Sequence, residues 1–329
     1  MKIGWIGCGR HASAMLLPQL AARDVTIEAL CDVDAPNLER TARRYGVRAI
    51  YADARDLIGH AGLDAIGMAV GPVQHAAFGA AALERGLPIF MEKPPGATCA
   101  DAQRLMRAAE RAGKPLLIGF MKRYAVGNRI ARNVIASGDF GRVLAITGRY
   151  MTAPGYFAGD VDHTGFFLHH CVHYLDLPAF FASPIRGLSA RMVENGPGRL
   201  LFHMGLDFAC GAIATIEMGT VQSRGGPVER LEITGDHQRL EIDDVIEVTW
   251  RRDPPLKAEA LDAVLDPAHD ALTWKPNFTA AAAEDPKGYG ALLSDVLEAL
   301  AGRPSSAPTI EDGVCAMHWL EELRRTLDR

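Results

Sequence analysis

The chain has 329 residues, of which 48% are hydrophobic and 23% are charged. That length predicts two domains, and that composition excludes an intrinsically disordered chain. The formal net charge of −5, with no cluster of lysine or arginine, argues against nucleic acid and anionic membranes as partners, so we expect a small-molecule partner.

Cysteine usage and hydropathy indicate the compartment. Six cysteines are scattered along the chain without CxxC spacing, mostly in apolar or helical contexts, which is typical of buried thiols in a reducing compartment. The apolar run at the N-terminus is too short for a signal peptide, and no later stretch approaches the roughly 18 apolar residues of a membrane span. We therefore expect a cytoplasmic protein.

The first 120 residues alternate short apolar strands with alanine-rich helices, which predicts βαβ units of a doubly wound parallel sheet, an α/β Rossmann domain. The predicted strands are residues 2–6, 26–31, 48–51, 65–70, 88–91 and 115–120. The predicted helices are residues 11–22, 35–45, 74–85 and 99–112. Gly46, Gly86 and Gly113 follow three of these helices at positions that favour a left-handed C-cap.

The later part of the chain has longer runs of alternating polar and apolar residues, which predict an α+β domain with a large, mostly antiparallel open sheet. The predicted strands are residues 143–151, 200–208, 212–218, 228–234 and 245–250. The predicted helices are residues 128–137, 168–181, 288–300 and 311–327. Residues 252–285 show no clear period and are predicted to form a loop region. We divide the chain into domains at 1–122 and 123–329.

A glycine-rich turn follows the first predicted strand and opens a helix. Its sequence, Gly7-Cys8-Gly9-Arg10-His11-Ala12, has the GxGxxA spacing that lets backbone N–H groups approach a pyrophosphate. Glycine-rich turns between a strand and a helix can also be purely structural tight turns. The position of this turn in a βαβ unit favours a dinucleotide-binding role.

Asp32 ends the second strand, where a carboxylate can accept hydrogen bonds from both ribose hydroxyls and repel a 2′-phosphate. NAD(H) is therefore favoured over NADP(H). An alternative is that Asp32 and Asp34 only cap the following helix, and Arg43 or Arg44 could then admit NADP(H).

The fifth strand ends in Glu92-Lys93-Pro94, which places Lys93 at the carboxyl edge of a parallel sheet, where open α/β folds bind ligands. With its glycine loop and this motif, the chain resembles the glucose–fructose oxidoreductase / inositol dehydrogenase (Gfo/Idh/MocA) family over essentially its whole length. The resemblance implies an NAD(P)-dependent dehydrogenase or reductase that acts on CH–OH groups of a sugar, polyol or sugar derivative between the two domains.

The resemblance also implies cofactor contacts beyond the glycine loop and Asp32. The turn Val70-Gly71-Pro72, with His75, is similar to the family's cofactor-contacting turn. In the family the lysine of the Glu-Lys-Pro motif lies by the nicotinamide and substrate, so Glu92 and Lys93 are also expected cofactor contacts. Residues 119–124 resemble the segment that joins the domains.

Residues 165–176 match the family's catalytic helix. His173 and Asp176 fall on its usual histidine and trailing aspartate, whereas the catalytic aspartate position holds His169. The resemblance implies that His173 exchanges the hydroxyl proton while Lys93 polarises the same oxygen. Because residues i and i+4 share a helix face, His169 and His173 are predicted to point together into the cleft. Without the family's aspartate, His173 should be easier to deprotonate. Because an imidazole can donate a hydrogen bond where a carboxylate cannot, a substrate with a carboxylate or phosphate becomes conceivable.

Candidate substrate contacts are Arg123, His169, His170 and Tyr150, with Arg149 as a weaker one. Three alternatives stay open: a zinc hydrolase built on the helix histidines and His163, a non-catalytic dinucleotide-binding protein, and a lyase or glycosidase that oxidises its substrate transiently with NAD. The histidines could also pack the helix against the sheet. We expect a homodimer or homotetramer.

Overall fold

The computed structural model describes residues 1–153, 164–223, 226–253, 271–275 and 285–327. Contacts between residues divide the chain into two units. One consists of Met1–Met121 with Gly288–Glu321, and the other of Lys122–Lys287 with Glu322–Arg329.

The first unit contains a six-stranded parallel sheet in the order β3-β2-β1-β4-β5-β6. Its strands are β1 (Lys2–Ile6), β2 (Thr26–Cys31), β3 (Ala49–Tyr51), β4 (Ala65–Met68), β5 (Ile89–Met91) and β6 (Leu116–Ile118). β4 and β5 are buried along their whole length, because helices cover both faces of such a sheet. The predicted Rossmann fold is confirmed.

The helices of this sheet begin and end at capping residues. They are α1 (Leu17–Ala21), α2 (Ala35–Tyr45), α3 (Ala54–Ile58), α4 (Pro72–Glu84) and α5 (Cys99–Ala112). Thr98 and Asp101 form a capping box at the start of α5, and the three predicted C-cap glycines all have positive φ. A π-helical turn, Ala12–Leu16, precedes α1. The prediction missed α3, because five residues are too few to show a helical period.

Residues 288–321 were assigned by sequence to the second domain, whereas the structure groups them with the first unit. Two helices begin in this segment, α9 (Tyr289–Leu300) and α10 (Ile310–Leu327). Arg23 donates from Nε to Ser294 Oγ at 3.0 Å, and the Ile118 N–H donates to the Pro308 carbonyl at 2.8 Å. Bonds between such distant parts of the chain leave no periodic signal in the sequence.

The second unit contains an eight-stranded sheet in the order β14-β13-β12-β11-β7-β10-β9-β8. β7 and β10 pair in parallel, and every other neighbouring pair is antiparallel, as predicted. The strands are β7 (Ala145–Met151), β8 (Ile185–Glu194), β9 (Leu200–Phe208), β10 (Ile213–Gly219), β11 (Val228–Gly235), β12 (Gln238–Asp243), β13 (Glu247–Arg251) and β14 (Ala271–Trp274). Its helices include α6 (Val126–Ala136), α7 (Thr164–Phe166) and α8 (Val172–Phe181).

Three strands of this sheet were not predicted. β8 and β14 are edge strands, largely exposed, so they lack the apolar alternation that marks a half-buried strand. β12 has a buried acid, Glu241, which pairs with Arg239 and Arg251 rather than packing against apolar residues. The loop prediction for residues 252–285 is wrong over β14, and most of the remaining segment lies outside the described residues.

Candidate functional site

The glycine loop of the first unit joins β1 to the π-helical turn and α1. Gly7 has a φ of +95°, and a Cβ there would lie 2.3 Å from the Ala69 carbonyl oxygen, so only glycine fits. A Cβ on Gly9 would meet no atom within 4 Å. The loop is therefore held tightly at Gly7 and leaves open space beside Gly9. The residues present fit a dinucleotide, because a side chain at Gly9 would fill that space.

Cys8, between these glycines, is structural. Its thiol is fully buried, and burial, followed by the nearby Asp32 carboxylate, raises the pKa of Cys8 to about 12. A thiol with so high a pKa is not a nucleophile at neutral pH. The candidate ligand groups of the loop are therefore backbone N–H groups, together with the exposed side chains of Arg10 and His11.

Asp32 and Asp34 have separate roles in the structure. The Asp32 carboxylate accepts from the Cys8 N–H at 2.6 Å and from the Asp34 N–H at 2.8 Å. Asp34 is the N-cap of α2 and accepts from the Asn37 N–H at 2.8 Å. Capping thus falls to Asp34 alone, and Asp32 fixes a negative charge beside the glycine loop.

The turn after β4 and the turn after β5 are joined by His75. The Val70 N–H donates to His75 Nε2 at 3.2 Å, and His75 Nδ1 lies 2.9 Å from the Pro94 carbonyl oxygen. The His75 side chain is 1% exposed, and burial lowers its pKa to about 4. Both ring nitrogens are engaged by the protein, so His75 is a structural member of the site rather than a direct ligand.

Glu92 is a buried carboxylate at the end of β5. Its Oε2 accepts from the Lys93 N–H at 3.3 Å, and His11 Nε2 lies 3.6 Å from its Oε1. Burial alone would raise the pKa of Glu92, but interaction with His11 and the charge of Lys93 outweigh burial and lower it. Glu92 is therefore ionised next to Lys93, whose own side chain is half-buried.

In the second unit, the helix predicted over residues 168–181 is not a continuous α-helix. Phe167–Cys171 form a π-helical turn, and α8 follows directly. A π-turn changes the angular spacing on which an i, i+4 pair depends. His169 is exposed, whereas His173 is 5% exposed. The two histidines therefore differ in exposure, and their pointing together into a cleft stays a prediction.

Asp176 and Arg123 form a buried ion pair. Arg123 Nε donates to both carboxylate oxygens, at 2.9 and 3.2 Å, and its Nη2 also contacts Asp176. The Arg123 guanidinium lies 5.4 Å from the centre of the Phe180 ring. Arg123 is thus committed to helix α8. Arg149 lies on the exposed face of β7 and pairs with Glu217 at 2.8 Å.

Tyr150 and His170 lie together on the helix side of the sheet. The Tyr150 hydroxyl and His170 Nδ1 are 2.6 Å apart, and the two rings stack with centroids 5.0 Å apart. Lys122 Nζ lies 5.5 Å from the centres of the Tyr150 and Tyr174 rings and forms an ion pair with Glu229. Sequence reasoning missed Lys122, Tyr174 and Glu229 because three separate segments supply them.

The described part of the chain contains neither a cluster of metal ligands nor a membrane-spanning helix. There, no group of three or more histidine, cysteine, aspartate or glutamate side chains could hold a metal ion, and His163 of the zinc alternative lies outside it. Of the helices described, none has the length and apolar character needed to cross a membrane.

Comparisons with known proteins are consistent with this architecture. Residues 1–120 match a family model described as an oxidoreductase family with an NAD-binding Rossmann fold, GFO/IDH/MocA. Residues 128–241 match a model of the C-terminal domain of the same family.

Individual relatives are similar to parts or to the whole of the chain. An inositol 2-dehydrogenase from Salmonella paratyphi B is 34% identical over 157 residues, and that match spans 46% of each protein, about half of either length. An inositol 2-dehydrogenase from Azotobacter vinelandii is 26% identical over 96% of this chain and 90% of its own. The crystal structure of a dehydrogenase from Chromobacterium violaceum shares the fold, with a TM-score of 0.86, 22% identity, and coverage of 100% and 95%.

Proposed function

This chain belongs to the GFO/IDH/MocA oxidoreductase family, and on that premise we propose that it transfers hydride between NAD and a carbinol or ketone carbon of a sugar-like or polyol-like substrate. One observation carries the proposal. The Gly7–Gly9 loop, Asp32 and Lys93 follow β1, β2 and β5 at the carboxyl edge of one parallel sheet. This edge is where open α/β sheets bind dinucleotides and their substrates.

The first unit provides groups suited to each part of NAD. Backbone N–H groups of residues 7–12 would bind the pyrophosphate, and Asp32 would accept hydrogen bonds from the adenosine ribose. The turn Val70-Gly71-Pro72 and the segment Glu92-Lys93 would line the nicotinamide end. When bound, the nicotinamide accepts or supplies the hydride. Because Asp32 is a fixed anion, we propose that NAD(H) binds more tightly than NADP(H).

Lys93 is proposed to polarise the reacting substrate oxygen. It is half-buried, and its positive charge interacts with the ionised Glu92 beside it. An ammonium directed at this oxygen stabilises the negative charge that develops there during hydride transfer. Glu92 itself is buried, so its effect on the substrate passes through Lys93.

His173 is proposed to exchange the hydroxyl proton with the substrate. During alcohol oxidation its imidazole accepts the proton, and during ketone reduction the imidazolium returns it. His169 replaces the family's aspartate, and Asp176, which follows His173 on α8, is paired with Arg123. Loss of the family's aspartate removes an anion that would stabilise imidazolium, which favours the neutral base.

The identity of residue 169 provides a direct test of this environment. His169→Asp introduces an anion one helical turn before His173, which stabilises imidazolium and should move the acid limb of the kcat profile for oxidation to higher pH. The exposed residue His237 offers a matched control, His237→Asp. An unchanged profile in the His169→Asp variant would favour a packing role for the helix histidines.

Substrate recognition is assigned to the exposed His169 and to the hydrogen-bonded pair of Tyr150 and His170, whose imidazole and hydroxyl groups suit a polyhydroxylated ligand. Arg123 is the least favoured of the candidate contacts, because its guanidinium is already bound to Asp176. A substrate carboxylate or phosphate, if present, would therefore meet imidazole rather than guanidinium.

Homo-oligomerisation through the eight-stranded sheet is also proposed. Its strands carry the exposed apolar residues Val193, Ile213, Val228 and Leu272. Sedimentation equilibrium of the wild type and of Ile213→Lys tests the role of this surface. A monomeric wild type would contradict it.

The experiment for the main proposal combines cofactor titration with a substrate screen. NADH and NADPH are titrated by nicotinamide fluorescence, and polyols, aldoses and sugar acids are screened for absorbance change at the nicotinamide band. Lys93→Ala should bind NADH within about threefold of the wild type but lose about 10²- to 10³-fold in turnover. Lys114 is exposed, so Lys114→Ala is the matched control and should keep the wild-type NADH affinity and turnover.

Each outcome discriminates between functions. NADH binding without turnover of any compound would favour a non-catalytic dinucleotide-binding protein. The loss of the family's aspartate at position 169 is the observation that supports this alternative. Substrate consumption without net NADH formation would indicate transient oxidation. Failure to bind either dinucleotide would refute the proposal.

A further inference from the structure

We propose that His75 is a positioning residue that sets the placement of Lys93 by tying the turn after β5 to the turn after β4. The inference rests on the proposed function for its catalytic consequence. The contacts that carry it lie entirely within the first unit.

The geometry of His75 determines where its proton is. Nε2 accepts from the Val70 N–H, a group that can only donate, so Nε2 carries no proton. The neutral ring must then carry its proton on Nδ1, which donates to the Pro94 carbonyl 2.9 Å away. Burial holds the pKa of His75 near 4, so the ring is uncharged at neutral pH, and its two hydrogen bonds select the tautomer with the proton on Nδ1.

The turn that carries Lys93 depends on such an external donor. Pro94 and Pro95 follow Lys93 directly, and proline has no N–H to donate. On either side, the Lys93 N–H is held by Glu92 and the Ala97 N–H by Asp101 Oδ2 at 3.1 Å. The carbonyl of Pro94 is a polar backbone group between these two anchors, and His75 binds it.

The other nitrogen of the ring links this turn to the proposed cofactor-contacting turn. Val70 begins that turn, and the backbone N–H of His75 donates to the Gly71 carbonyl at 2.9 Å. Any change in the backbone at Val70 therefore reaches the residue next to Lys93 through one rigid ring. We expect cofactor binding at Val70–Pro72 to be communicated to the Lys93 ammonium by this path.

Two substitutions separate hydrogen bonding from space filling. His75→Phe retains a planar ring but leaves the Val70 N–H and the Pro94 carbonyl without this partner. His75→Gln offers an amide oxygen to accept and an NH₂ to donate, and should restore the link in part. His60→Phe is the matched control. His60 lies in the same unit, and its Nδ1 lies 2.8 Å from the Tyr51 hydroxyl, away from the turn that carries Lys93.

The first readout is independent of any substrate. The chain has seven lysines, so reductive ¹³C-methylation gives few signals, and the Lys93→Gln variant identifies the one from Lys93. In the wild type this signal should shift when NADH is added. We expect His75→Phe to reduce that shift at least threefold while NADH affinity stays within about threefold, and His75→Gln to recover at least half of it.

The second readout is catalytic. His75→Phe should lower kcat about 10²-fold with KM within threefold, as expected when a catalytic group is displaced by about 1 Å. Equal losses in His75→Phe and His75→Gln, or the same loss in His60→Phe, would overturn the proposal in favour of a packing role.

Failure of the proposed function would be seen separately. If the wild type neither binds NADH nor turns over a substrate, the position and titration midpoint of the ligand-free Lys93 signal still report on the link. A changed midpoint in His75→Phe, restored in His75→Gln, would support it. An unchanged midpoint in His75→Phe would overturn it.

Discussion

Replacing Asp32 with asparagine isolates the contribution of its negative charge to cofactor choice. The carboxylate accepts from the N–H groups of Cys8 and Asp34 at 2.6 and 2.8 Å. Each N–H meets a different carboxylate oxygen, so the uncharged asparagine, with one acceptor oxygen, can serve only one of these donors. With that oxygen turned to the Cys8 N–H, the variant should hold the glycine loop in place while removing the repulsion toward a 2′-phosphate.

The expected magnitude follows from Coulomb's law. Two unit charges about 5 Å apart near a protein surface interact by about 1–3 kcal/mol at effective dielectric constants of roughly 20–80. That energy corresponds to a gain of about 5- to 150-fold in NADPH affinity. NADH affinity should fall about tenfold, because a hydrogen bond from ribose to a charged acceptor becomes a neutral one, a difference of about 1–1.5 kcal/mol.

The assay is titration of both dinucleotides at one fixed ionic strength, followed by nicotinamide fluorescence. Asp34→Asn is the matched control: it removes an equal charge two residues away, and asparagine is itself a good N-cap for α2. The control should keep the wild-type ratio of NADH to NADPH affinity. An unchanged ratio in Asp32→Asn, or an equal change in Asp34→Asn, would refute the role assigned to Asp32.

Three further predictions concern the loop, the buried ion pair and pH. Gly7→Ala places a Cβ 2.3 Å from the Ala69 carbonyl oxygen at a φ of +95°, so it should lower the unfolding temperature and abolish NADH binding. Gly9→Ala meets no such contact and should fold normally, yet bind NADH at least tenfold more weakly. Equal unfolding temperatures for the two variants would contradict this reading. Asp176→Ala removes the bidentate partner of a buried arginine and should cost about 3–5 kcal/mol in urea unfolding; a loss below about 1 kcal/mol would mean that the pair behaves like a surface one. Because burial lowers the pKa of His75 from 6.5 to about 4, the stability it confers is complete above pH 6.5 and is lost as pH falls toward 4. Between pH 7 and 4.5 this loss should reach about 2–3 kcal/mol, and His75→Gln should unfold in urea with a correspondingly smaller dependence on pH.

Much of the first unit is determined by local sequence. β1 and β2 begin and end at the predicted residues. β1 is buried after its first residue and appears as a continuous apolar run, whereas β2 is buried only over its last three residues. α2 and α5 also have the predicted bounds, since Asp34 and Thr98 cap their N-termini and glycines follow their C-termini. The position of the glycine loop after β1 follows from the same pattern.

Several features were decided only by tertiary structure. The edge strands β8 and β14 owe their conformation to pairing with β9 and β13, and their own sequences show little alternation. Residues 288–321 join the first unit through contacts such as the bond between Ile118 and Pro308. Pairing between distant segments depends on the positions of backbone groups in space, which no local period records.

The candidate site likewise has features that the sequence predicted and features that only tertiary structure decided. The sequence predicted roles for Asp32 and Lys93 from their positions after strands, whereas His75 and the helix histidines were predicted from the resemblance to the family. It could not distinguish the roles of Asp32 and Asp34, or show that His75 and Arg123 are bound within the protein. Those roles depend on which donor meets which acceptor after the chain has folded, and burial then fixes the protonation state, as it does for His75.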